Sequence, residues 1–132
     1  MSRKPLPALA AAFALHLLSV PPASPMDNGQ FGDAPANVRA WFKSVRSPRG
    51  VPCCDIADGH RTDYDIRGDG YWIPNPAKPG EWVQVPPEAV IYDAGNPVGE
   101  AVVWYVINYA EDGRGLYSPG LYIRCFVPGS GV

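Results

Sequence analysis

The stretch VPCCDIADGHRTD, residues 51–63, places Cys53, Cys54, Asp55, Asp58 and His60 within eight consecutive positions. Those residue types can do three kinds of chemistry. A thiol can join a distant cysteine in a disulfide. A thiolate, an imidazole and carboxylates can together hold Zn²⁺ or Cu²⁺. A thiol with a base in hydrogen-bond reach can act as a nucleophile, with His60 as the base and Asp55 or Asp58 orienting it.

The cysteine count ranks these readings. The chain has three cysteines, Cys53, Cys54 and Cys125. Adjacent cysteines rarely bond to each other, because the peptide between them must distort. One of the pair is therefore expected to bond Cys125, closing a loop of about seventy residues worth roughly 4 kcal/mol in the chain-entropy model. Cys53 and Cys54 are nearly equal partners. The place of Cys54 nearer the acidic loop tips the preference to it. Cys53 is then the spare thiol, and the candidate metal set is Cys53, Asp55, Asp58 and His60.

Each chemical reading has a plainer one beside it. A spare thiol can be buried and inert. "ADG" can be an ordinary turn, with Asp58 bonding its own backbone two residues on and Gly59 supplying a positive φ. His60 then bonds locally or packs on an aromatic ring. The acids do not fit a Ca²⁺ loop: counting from Asp58 puts Asp63 at the sixth place, where glycine is required. The cysteines are not spaced as CxxC, which disfavours thioredoxin-type redox chemistry. Phosphate-loop, dinucleotide and serine-nucleophile motifs are absent, and no cofactor is called for.

The elements that must position this loop are short. "NVRAWFKSVR" reads as a helix, with Asn37 as its cap and Val38, Trp41, Phe42 and Val45 on one face. Pro48 and Gly50 stop it. After the loop the chain turns to β patterns. "TDYDIRGDGYWI" suggests a hairpin turning at "GDG", and "EWVQVP" a short strand. "EAVIY" suggests a strand or a single turn. "EAVVWYVINY" is the strongest strand, β-branched and aromatic, and is expected to be central. "LYIRCFV" follows after a long hairpin connection. Its alternation puts Leu121, Ile123, Cys125 and Val127 on one face and Tyr122, Arg124 and Phe126 on the other. Trp72, Trp82 and Trp104 fall in strand-like segments and are expected to fill the core. The predicted fold is α+β and mostly β. A short N-terminal helix packs on a small antiparallel sheet, or on a partly open β-barrel of five to six strands.

The N-terminus sets the compartment. Arg3 and Lys4 precede an apolar run from Leu6 to Val20, and small residues and prolines follow. That order predicts a signal peptide over residues 1–23. Residues 24–36 read as a flexible leader, and 37–132 as a single small globular domain. The expected location is periplasmic or secreted, where a disulfide can persist. After cleavage nine basic residues face thirteen acidic ones, a net charge of −4. Nucleic-acid binding is therefore not expected, and no later segment reaches transmembrane length. Sixteen prolines and fourteen glycines imply many turns and a modest core.

The function this supports is a non-enzymatic binding or structural module of the bacterial envelope, held by one disulfide. Its partner would be an envelope protein or a glycan. The contact site would lie near the last hairpin, where Tyr109, Tyr117 and Tyr122 are expected to be exposed beside Glu111, Asp112 and Arg114. A metal-binding protein using the Cys53–His60 loop is the second reading, and a cysteine-dependent enzyme ranks behind it.

Overall fold

The helical periodicity at the start of the domain is realised as α1, Ala36–Ser44, in a computed structural model that describes residues 33–53, 58–111 and 117–130. Val38, Trp41 and Phe42 form its buried face. The cap differs from the expectation. Pro35 occupies the N-cap position without a side-chain bond, and Asn37 lies inside the first turn. Proline has no side-chain acceptor, so the first-turn N–H groups receive no side-chain cap here. The Trp41 indole N–H donates to the carbonyl of Ala94 at 2.6 Å, fastening α1 to the long loop before the central strand.

A tight return follows α1. Ser47 N–H donates to Val51 O at 2.8 Å, and Cys53 N–H donates to Val45 O at 3.2 Å. Arg46 and Pro52 face each other in an antiparallel bridge. Gly50, at φ 79°, makes this reversal possible.

Among the described residues six strands follow: β1 (Gly59–Thr62), β2 (Asp65–Arg67), β3 (Gly70–Pro74), β4 (Trp82–Gln84), β5 (Ala101–Glu111) and β6 (Tyr117–Val127). They form two three-stranded antiparallel sheets, β1-β5-β6 and β2-β3-β4, and do not close into a barrel. β2 and β3 are the predicted "GDG" hairpin, turning through Gly68 at φ 64°. "EAVIY" resolves as a single 3-10 turn, Pro87–Ala89, and then an isolated bridge between Val90 and Phe126.

The β1-β5-β6 sheet is the middle layer. On one side Val102, Trp104, Cys125 and Val127 pack with Phe42, Trp41 and Cys53. On the other, Ala101, Val103, Ile123 and Phe126 pack with Ile73, Val85 and Val90. Burial on both faces explains why "AVVW" is continuously apolar rather than alternating.

Two expectations are corrected here. The predicted face of β6 is broken by a bulge. Trp104 pairs with Cys125 but Tyr105 pairs with Ile123, so Arg124 is the extra residue. Leu121 and Ile123 therefore lie on the side of Phe126, and Cys125 and Val127 on the side of α1. The tryptophans also divide. Trp104 is buried in the core. Trp72 and Trp82 instead lie on the outer face of the second sheet, with the Arg67 guanidinium 5.1 and 4.9 Å from their ring centroids. Arg67 Nε also donates to Asp65 Oδ2 at 2.9 Å. Cation–π contact on two rings gives those side chains a surface role that strand position alone cannot foretell.

Candidate functional site

The reversal after α1 delivers Cys53 to the middle sheet, where it is bonded to Cys125 across a sequence separation of 72. Both sulfurs are fully buried between α1 and the sheet. The preferred partner Cys54 is thereby corrected to Cys53. The Val45–Cys53 backbone bond fixes Cys53 beside the end of α1, on the layer that Cys125 faces. Cys54 and Asp55 lie outside the described residues.

The candidate metal set loses its thiolate by this bond, since a disulfide sulfur is not the deprotonated ligand that Zn²⁺ or Cu²⁺ requires. Of the remaining members, Asp58 and His60 are described. Among the described residues no group of three or more His, Cys, Asp or Glu side chains is placed to hold a metal ion. Cys53 is likewise unavailable as a nucleophile while it is oxidised.

His60 has a definite setting that the turn reading only half anticipates. Its segment is strand, not turn, and His60 pairs with Val103. Its ring therefore lies diagonal to Tyr105 on the same face and stacks on it, with centroids 4.7 Å apart and 28° between planes. Partial burial lowers its pKa below the ordinary 6.5, and the Asp58 carboxylate opposes that shift. An NMR titration should therefore place His60 below 6.5, and Asp58→Asn should lower it further. A depressed histidine pKa means the unfolded chain binds more protons between the two values. The stabilising contribution is then complete above pH 6.5 and is lost as pH falls through the folded pKa. A titration at or above 6.5 would overturn this ordering of burial over the carboxylate.

Asp58 lines a small cavity of about 120 Å3 with Cys53, Trp104, Tyr105, Val106 and Arg124. The Trp104 Nε1 is buried and has no acceptor among the described residues. It faces Gly59, where a Cβ would stand 3.1 Å away. The cavity thus places Asp58 and Arg124 on the same wall system as the disulfide-bonded Cys53.

A larger groove of about 500 Å3 lies elsewhere, between the return after α1, the 3-10 turn and β6. Arg49, Val51, Glu88, Tyr122 and Arg124 line it, together with Leu121 and Ile123. Val51 and Tyr122 are more than half exposed there. Sequence reasoning missed this groove. Its walls come from three segments more than thirty residues apart, and only the bulge turns Arg124 out of the predicted alternation.

The last hairpin behaves as the sequence suggested where it is described. Tyr109 and Tyr122 are exposed, at 67% and 58%, and Val106 joins them at 41%. The tip, residues 112–116, and the side chains of Glu111 and Tyr117 lie outside the described residues. No family model, curated protein or solved structure matches the chain.

Proposed function

We propose that this protein is an exported, disulfide-stapled module of the bacterial envelope that works by binding another envelope protein. The observation that carries the reading is the apolar, solvent-exposed outer half of the β5–β6 hairpin. β1 pairs only with residues Ala101–Trp104 of β5. Beyond that point, among the described residues, β5 and β6 pair with each other alone. A two-stranded ribbon by itself is marginal in water, yet this one exposes Val106 and Tyr122, a cross-strand pair on one face, and Tyr109 on the other. Large apolar side chains in such a place are the mark of a contact surface.

A protein partner is favoured over a glycan by the state of the tryptophans. Sugar rings stack on open indole faces. Trp72 and Trp82 already share the Arg67 guanidinium between them. The hairpin instead offers a mixed aliphatic and tyrosine surface, the kind that protein contacts favour. Export is argued from the leader of the sequence, and a buried disulfide is at home in an oxidising compartment.

The test is expression of the full chain in a bacterium, followed by fractionation. The chain should be recovered from the periplasm, lacking its first 23 or so residues, with one free thiol after denaturation. It should be retained on isolated envelopes, and protease treatment of those envelopes should abolish retention. Val106→Ser with Tyr109→Ser should weaken retention about tenfold, since contact anchors are commonly worth about 1–2 kcal/mol. A cytoplasmic chain with three free thiols would sink the export reading. Retention unchanged in the double variant would remove the hairpin as the contact surface.

A further inference from the structure

We propose that two copies of this chain pair through the free outer edge of β5, antiparallel and centred on Asn108, so that their β5–β6 ribbons join into one four-stranded sheet. The inference goes beyond the proposed function and does not rest on it.

The edge itself is the first reason. β1 covers the outer side of β5 only from Ala101 to Trp104. Asp58, the residue before β1, lies outside the strand and lines a cavity with Cys53, Trp104 and Val106 on the α1 face. It therefore lies toward that face, not along the β5 edge. From Tyr105 to Glu111, among the described residues, β5 pairs with β6 alone. That stretch, YVINYAE, holds no proline, no glycine and no charge before Glu111. A short uncharged run of β-branched and aromatic residues is the composition that pairs with copies of itself. Sheets ordinarily guard such an edge with proline, charge or a bulge.

The other edges say which strand can meet it. β6 is guarded: Pro119 stands in it, the Arg124 bulge interrupts it, and Phe126 bridges Val90. β1 has only four residues, with the Arg61–Glu100 ion pair beside it. β2 and β4 have three residues each. Among the described strands, the edge of matching length and chemistry is therefore β5 of a second copy. Like edges meet about a two-fold axis, so the pairing closes at two chains. A parallel pairing would bring the two β1 strands into the same place, so the copies run antiparallel. The register follows from the ends of the free stretch. β5 ends at Glu111, where the hairpin connection starts, and β1 begins opposite Trp104. An axis at Asn108 sets Asn108 opposite its own copy, Ile107 opposite Tyr109 and Tyr105 opposite Glu111. A shift inward would run the second hairpin onto β1, and a shift outward would give up pairs. The aliphatic–aromatic pair Ile107–Tyr109 then occurs twice. Four strands replace a ribbon of two that is marginal alone.

The test uses the full mature chain carrying Cys54→Ala, which removes the third thiol. Sedimentation over a concentration series should show a monomer–dimer equilibrium. Asn108→Lys and Asn108→Asp should each weaken the dimer roughly fivefold, because each sets like charges opposite one another on the axis. Mixing the two variants should restore it. Asn108→Cys should form a disulfide-linked dimer on mild oxidation, since directly opposed Cα atoms of an antiparallel pair stand about 4.5–5.5 Å apart. Ala110→Cys, which faces Val106 of the second copy rather than itself, should not. A chain still monomeric at about 1 mM would overturn the proposal. So would a dimer that neither charge weakens, charged variants that fail to rescue each other, or equal cross-linking at positions 108 and 110. Species larger than a dimer would also overturn it, since a two-fold contact between guarded outer edges leaves no further edge to extend.

Discussion

Cys125→Ala should lower the free energy of unfolding by about 4 kcal/mol. The Cys53–Cys125 bond spans 72 positions, and a closed loop of that length is worth roughly that much through the unfolded chain. At about 4–8 °C per kcal/mol for a domain of this size, the unfolding midpoint should fall by roughly 15–30 °C. The position of the bond adds a reason to expect the upper part of that range. α1 meets the middle sheet through Trp41, Phe42 and Trp104, with the disulfide in the same cluster. Cys125 is the better site to change, because removal of Cys53 leaves Cys54 next in the sequence as a substitute. Reduced wild-type protein should unfold near the midpoint of the variant, and any gap between them measures lost packing at a fully buried site. Cys54→Ala should leave the bond in place. A drop of less than about 1 kcal/mol in Cys125→Ala would show that core packing holds the layers without the bond.

Local signals in the sequence carried the elements whose cause is local. The 3- and 4-residue spacing of Val38, Trp41 and Phe42 identifies α1 and its buried face. The apolar run in "AVVW" identifies a central strand, and the "GDG" hairpin is encoded by its own glycines. What was not legible depends on contacts between distant segments. β1 reads as a turn because "ADGH" has turn composition, whereas pairing with β5 makes Gly59–Thr62 a strand. The bulge at Arg124 is invisible in an alternating pattern, and it reverses the faces of Leu121 and Ile123. Trp72 and Trp82 look like core residues until Arg67 is seen over their rings. The candidate site followed the same division. A disulfide to Cys125 was foreseeable from the count of cysteines. The choice of Cys53 depended on the return from Val45, which a loop composition does not disclose. The groove at β6 had no sequence signature, since its two arginines are 75 residues apart and meet only through the fold.

Gly59→Ala should destabilise the protein by up to about 3 kcal/mol, the upper end of the usual cost of overpacking. The sign is the informative part. Alanine in a strand interior ordinarily gains roughly 0.5–1 kcal/mol over glycine, because less backbone freedom is lost on folding. The glycine here was expected to serve a positive φ, but it is not among the positive-φ glycines and is paired in β1 with Trp104. Its requirement is space. A Cβ would stand 2.5 Å from Phe42 Cε1 and 3.1 Å from Trp104 Nε1. Those rings meet edge-on at 5.7 Å, and both are almost wholly buried. Neither is the free end of a flexible chain that could swing aside, so the strain must spread into α1 or β5. Changing Phe42 to Leu in the Gly59→Ala background removes the ring edge and tests this directly. The pair should be non-additive, with the Phe42 change costing at least about 1 kcal/mol less in the alanine background than in the wild type. Additive costs, or a neutral Gly59→Ala, would mean that α1 can move away from the sheet at this point. The two-layer contact would then depend on the disulfide far more than on the close approach of Phe42 and Trp104 to a bare backbone.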